Sequence, residues 1–175
     1  DDYGNRVRRC VYLGALTEFS QVYHVLERFH VDCAVIDARP ETRKAQELRD
    51  RCMQLGKASV WLAQFHPTDR IGRQDYGMRL DHARHVVTVD RTQLLDATVD
   101  EMRHDPPKRV FPSDSFTVDG WADQMQASRR VLNERGDRFV WRQGSQADHY
   151  RFSDAYERIA SDLVGTSAEY YTVDS

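Results

Sequence analysis

Two short apolar runs, AVID at residues 34–37 and SVWLAQF at residues 59–65, most constrain what this chain can fold into. Both are nearly continuous rather than alternating, the pattern of strands covered on both faces of a sheet. Between them, Pro40 suits the first turn of a helix, where its missing N–H is not needed. Ala45, Leu48, Cys52 and Leu55 then make an apolar helical stripe. Upstream, Phe19, Val22, Leu26 and Phe29 repeat at i, i+3, i+7 and i+10, a second amphipathic helix. Alternation at Val7, Val11 and Leu13 predicts a strand from Arg6 to Gly14, entered from a turn at Tyr3-Gly4-Asn5. The order strand, helix, strand, helix, strand predicts an α/β protein.

After Phe65 the texture becomes polar. Residues 66–92 read as a loop followed by a β-hairpin with Val86-Val87 at its apolar centre. TQLLDATVDEMRH predicts a helix, DPPKRVFP a break, VDGWADQMQASRRVLNER a helix, FVWRQ a strand and DHYRFSDAYERIASDLV a closing helix. There is no internal repeat, and the 175 residues read as one domain with an elaborated second half.

Several chemistries lack their residues. No segment approaches the ~18 apolar residues of a membrane span, and no leader pattern opens the sequence. The three cysteines, Cys10, Cys33 and Cys52, are scattered and form no CxxC pair, so they read as reduced thiols, with Cys33 and Cys52 in the core. Neither a GxSxG elbow nor a Walker A loop is present. A net charge of −3 places any nucleic-acid contact in a local patch rather than over the whole surface.

The carboxylates are more informative. Asp37 ends the first apolar run, where a carboxylate needs a cationic or hydrogen-bonding partner. It is either a capping acid or one of the groups that meet beyond the carboxyl ends of α/β strands. In the last helix, Phe152, Ala155, Tyr156, Ile159, Ala160 and Leu163 define a buried face. Asp148 points within about 50° of its centre and Asp154 almost directly away, at roughly 100° per residue. Asp148 is again either a cap or a ligand. His82, His85 and His149 read as solvated. The basic pairs Arg8-Arg9, Lys108-Arg109 and Arg129-Arg130 are candidate phosphate contacts.

VIDARPET and DHYRFSDAY are the specific parts of a wider likeness that includes RRCVYLGAL, VWLAQF and VDRTQLLD. From about Arg8 to Ala160 the chain resembles the nuclease domain of the large terminase subunit of tailed bacteriophages. The resemblance implies a ribonuclease H-like fold: a mixed five-stranded sheet, its first three strands an antiparallel meander, flanked by helices. It implies a metal-dependent endonuclease that cuts concatemeric viral double-stranded DNA during genome packaging in the cytoplasm of the infected bacterial host. An upstream ATPase domain, a portal and a small terminase subunit are the implied partners. The family places three acids around two divalent ions, one on the first strand, one at the end of the fourth and one on the carboxyl-terminal helix. Asp37 matches the second and Asp148 the third. Two ions ~3.5–4 Å apart stabilise the attacking and leaving oxygens of an in-line displacement, and oxygen ligands suit Mg²⁺ or Mn²⁺.

One departure bears on the site. The chain begins at the turn between the family's second and third strands, so the first strand and its acid are expected to lie outside it, and Asp1 and Asp2 do not replace that acid. Glu41, Asp90 and Asp154 are the candidate substitutes within the chain. Arg70, Arg73, Arg79 and Arg84, around the hairpin, are the expected DNA guide. The competing reading is an inert module of the same fold that binds DNA or docks on the packaging machinery.

Overall fold

The computed structural model describes residues 7–66 and 76–170. It is an α/β protein whose main sheet contains β2 (Cys33–Asp37), β3 (Ser59–His66), β4 (Arg79–Asp81) and β5 (Val86–Asp90) in the order β2-β3-β5-β4. β2, β3 and β5 run parallel, and β4 folds back antiparallel on β5 as the expected hairpin. These four are the strands of the main sheet among the described residues; an antiparallel three-strand meander is not among them.

Helices cover both faces, which explains why β2 and β3 carry apolar residues on each side. On one face, α1 (Phe19–Arg28) and α2 (Thr42–Gln54) bury Leu26, Leu48 and Cys52 against Ala34, Ile36 and Val60. On the other, α3 (Arg91–Arg103) and α5 (His149–Tyr170) bury Leu94, Leu95, Ala155 and Ile159 against Cys33, Val35, Trp61, Val87 and Val89. Phe19, Val22 and Leu26 of the predicted α1 stripe and Ala45, Leu48 and Cys52 of the α2 stripe therefore face the sheet; Phe29 lies just past α1 and packs on Tyr12, and Leu55 lies just past α2 and is exposed. Of the cysteines, Cys52 is fully buried and Cys33 half-buried, and all three are free thiols. None of the described helices is long and apolar enough to cross a membrane.

The amino-terminal segment departs from its predicted strand. Only β1 (Arg8–Arg9) is paired, and its partner is β6 (Arg109–Val110), outside the main sheet. The alternation is inverted: Arg8 is buried, while Val7 and Val11 are exposed. The cause is ionic. Arg8 meets Glu101 of α3, at 2.9 Å through Nε, and Glu157 of α5, and these acids draw the segment away from the sheet.

Two further elements differ. The helix expected up to Arg135 is α4 (Trp121–Gln126), followed by β7 (Ser128–Leu132) antiparallel to β8 (Phe139–Gln143). Helix-forming residues run on past Gln126, but cross-strand pairing and the Asn133–Gly136 turn override them; Gly136 supplies a left-handed φ of 69°.

Among the described residues the sheet ends at β2 with one side open. Asp32 C=O and Ala38 N–H both bond to the β3 side. In a parallel strand alternate residues turn to the same neighbour, so Cys33, Val35 and Asp37 direct their backbone groups outward. A cavity of about 770 Å³ runs beside this edge and is lined by all five residues of β2. The Val35 amide is thus expected to exchange with solvent deuterium much faster than that of Ile36, which points to β3. Residue-resolved hydrogen exchange checks this; equal protection at the two positions would mean that another strand covers the edge in solution.

Candidate active site

Asp37 lies where β2 stops, at the mouth of the edge cavity, and is exposed. Its Oδ1 accepts the Arg39 N–H at 2.8 Å and its Oδ2 accepts the Tyr156 hydroxyl at 2.7 Å. Of the two readings of Asp37, cap or ligand, the cap is not realised: Asp37 satisfies an amide two residues on as a turn acid, while α2 starts beyond Glu41.

Asp148 immediately precedes α5, and its carbonyl accepts the helix's first bond, from Phe152 N–H at 3.1 Å. Its carboxylate is buried and turned inward as the helical phase predicts. The partners are Ser128, whose hydroxyl donates to Oδ2 at 2.7 Å, and Arg91, whose Nη2 stands 3.7 Å from the same oxygen. Asp37 and Asp148 line the same cavity, together with Arg39, Arg91, His149 and Ser153.

The floor between the acids is aromatic. Phe65, Phe152 and Tyr156 pack with ring centroids 5.5–6.2 Å apart, and the Arg91 guanidinium covers Phe152 at 4.8 Å. Burial pushes the Tyr156 phenol up from its ordinary value of 10.0, and the Asp37 carboxylate beside it adds to the rise. The phenol therefore stays protonated and donates to Asp37. Cys33 also lines the cavity, but burial pushes its thiol up to about 11, so it is not a thiolate nucleophile at neutral pH.

The remaining sequence candidates do not join this pair. Asp90 is buried as the N-cap of α3, with Oδ1 accepting Gln93 N–H at 2.9 Å and Oδ2 without a hydrogen-bond partner among the described residues. It aligns with His66 where Asp37 aligns with Ala63. That register sets the two acids two strands and three residues apart, about 10 Å in each direction. Glu41 is exposed and faces Lys44 at 3.5 Å. Asp154, expected to point outward, is buried: its Oδ1 accepts from Arg109 Nε at 2.6 Å. The helical phase is as predicted, but β6 and β1 cover this second flank of α5. Arg70 and Arg73 lie outside the described residues. Arg79 sits on β4, at the far edge of the sheet from β2, and Arg84 lies in the turn before β5, where it faces Asp81 at 3.9 Å. The structure does not bring Arg79 or Arg84 to the two acids. Ser128, Arg91 and Tyr156 are the additions. Tyr156 was within reach of the sequence, since Asp148, Phe152 and Tyr156 are spaced at i, i+4 and i+8 on one stripe.

As ligands, the acids fit a hard divalent cation in kind. Both offer carboxylate oxygens, and each oxygen that accepts one hydrogen bond retains a second lone pair. They fit as two ligands rather than three: among the described residues no three His, Cys, Asp or Glu side chains converge on one metal position.

Two outcomes follow from these contacts. Arg109→Met strands Asp154 as an unpaired buried charge and should cost about 3–5 kcal/mol, whereas the double variant with Asp154→Leu should recover much of the loss; urea midpoints measure both. For Tyr156, the folded protein keeps a phenol proton that the unfolded chain releases near pH 10. The stability this provides is present below that pH and is lost as pH rises above it, so Tyr156→Phe should flatten the decline in urea midpoints between about pH 9 and 11. No family model, curated protein or solved structure matches the chain.

Proposed function

We propose that this chain is a divalent-metal-dependent endonuclease acting on double-stranded DNA, of the kind found in the nuclease domain of phage large terminase subunits, with a ribonuclease H-like fold. The observation that carries the reading is that Asp37 and Asp148, the two acids singled out by the sequence resemblance, line one cavity at the end of a sheet strand. Genome packaging in the bacterial host, with an ATPase domain, portal and small terminase subunit as partners, is the setting the resemblance suggests.

In this reading Asp37 and Asp148 hold Mg²⁺ or Mn²⁺ through carboxylate oxygens. The bound ions would supply Lewis-acid polarisation of the scissile phosphodiester. The Tyr156 hydroxyl and the Arg39 amide fix the orientation of Asp37, and Ser128 fixes that of Asp148. Such supporting hydrogen bonds keep a ligand aligned. Arg91, held over Phe152 but beyond hydrogen-bond length from Asp148, can turn to a phosphate oxygen without breaking a tight pair.

A specific feature favours the second reading, an inert DNA-binding or docking module: Asp148 faces Arg91, and the described residues offer no third ligand. Nicking of supercoiled plasmid in Mg²⁺ or Mn²⁺ separates the two. Asp37→Asn and Asp148→Asn should each abolish nicking while leaving metal-free melting curves unchanged. Tyr156→Phe should lower activity by about 10–100-fold. Glu47→Gln, on the exposed face of α2, is the control in place of the buried Asp154. Full nicking by either Asn variant overturns the assignment, and wild-type protein that neither nicks nor binds Mn²⁺ favours the inert module.

A further inference from the structure

The β7–β8 hairpin, SRRVLNERGDRFVWRQ, holds five arginines against two acids, an excess of three positive charges in a chain whose net charge is −3. Its register sorts them. On one face Ser128, Arg130 and Leu132 oppose Gln143, Trp141 and Phe139. This face is anchored: Trp141 Nε1 and Arg130 Nη2 both donate to Asp96 of α3, at 2.8 and 3.1 Å. On the other face Arg129 stands directly opposite Arg142, with Val131 opposite Val140.

That arginine pair is unfavourable for the protein alone. Like charges directly opposite on a hairpin repel, and both side chains are exposed. Arg142 reaches Glu134 at 3.0 Å, but the Glu134 side chain is 88% exposed, and so open a pair stabilises little. Arg129 makes no ion pair among the described residues. By contrast, Arg8 and Arg109, from the other basic pairs of the sequence, are buried among Glu101, Asp154 and Glu157 and are not available to a ligand.

The hairpin is also joined to the acids. Ser128, its first residue, donates to Asp148, and Gln143, its last, lines the Asp37–Asp148 cavity. A second, polar cavity of about 450 Å³ opens at the hairpin base, between Arg129, Gln126, Gly144 and Gln146. A cross-strand arginine pair on a two-stranded ribbon matches a polyanion of regular spacing. Such a ribbon fits the major groove of B-form DNA, about 12 Å wide, whereas the deep, narrow major groove of A-form RNA excludes it.

We propose that the Ser128–Gln143 hairpin is the surface that holds the phosphate backbone of duplex DNA, with Arg129 and Arg142 making the contacts. The choice of DNA as the polyanion rests on the nuclease reading above; the position of the contact rests on the hairpin itself.

The test is fluorescence anisotropy of a short fluorescein-labelled DNA duplex, in EDTA, across a salt series. Each phosphate contact contributes about 0.9 to the slope of log affinity against log salt. Arg129→Ala with Arg142→Ala should therefore lower the magnitude of that slope by roughly 2 and weaken binding to all sequences alike, while the paired Lys variants keep the slope. Removing two repelling charges should leave the melting temperature unchanged or raised; a fall would mean that the arginines are structural and overturn the proposal. It is likewise overturned if affinity and slope are unchanged in the Ala variant, if wild-type protein binds no duplex DNA, or if it prefers an RNA duplex. Because the assay needs no metal, it is independent of cutting. Arginine-dependent binding by a wild-type protein that never nicks with Mg²⁺ or Mn²⁺ would sink the nuclease reading and leave the hairpin assignment standing.

Discussion

The rotation of α5 about its own axis decides where Asp148, Phe152 and Tyr156 point, and the buried Arg109–Asp154 pair fixes that rotation. The apolar stripe sets which side of the helix faces the sheet. The buried Asp154 carboxylate, bonded to the buried Arg109 guanidinium at 2.6 Å, adds a second fixed direction on another flank. An uncompensated buried charge costs several kcal/mol, whereas a single exposed pair is worth about 1 kcal/mol or less. The exposed Arg43–Glu47 and Lys44–Glu41 pairs on α2 therefore decide little. The cluster of Arg8, Arg109, Glu101 and Asp154 has a large effect, because it ties β1, β6, α3 and α5 into one unit.

The two candidate ligands are prepared in different ways. Asp37 is reached by solvent, and its orientation comes from one backbone amide and one phenol. Asp148 is sunk beneath Arg91 and aligned by a serine hydroxyl. An ion arriving at this edge would meet the open carboxylate first, and capture by the second would require displacement of a guanidinium that stands 3.7 Å away and rests on the Phe152 ring. The aromatic floor excludes water from below, so charges above it interact in a medium less screening than bulk solvent.

Much of this was legible in the sequence for a simple reason. Continuous apolar runs and 3.6-residue stripes report burial on a face, so β2, β3, α1, α2 and the inward set of Asp148 follow from periodicity. Periodicity does not report what covers a polar face. Asp154 and Arg8 looked solvent-facing because their stripes are charged, yet each finds an opposite charge far away in sequence: Asp154 is 45 residues from Arg109, and Arg8 is 93 from Glu101. The strand β7 was hidden by helix-forming residues, and only its partner, Phe139–Gln143, selects the extended form. The Ser128–Asp148 bond has no signal in the sequence, where Ser128 falls in a run of helix-forming residues.

The side of β2 left open among the described residues also limits how two copies could meet through it. Natural sheet edges carry charge, proline or a bulge against unwanted pairing; CAVID has none of these before its final residue. A twofold axis perpendicular to the sheet brings the same strand of each copy together head to tail, because rotation by half a turn about such an axis reverses the strand direction. A symmetric pair through this edge would set the two Asp37 residues at opposite ends of a five-residue ladder, roughly 13 Å apart at 3.3 Å per residue. Each carboxylate would then lie beside the other copy's Cys33. A copy paired at this edge would therefore stand against the same cavity that Asp37 and Asp148 line.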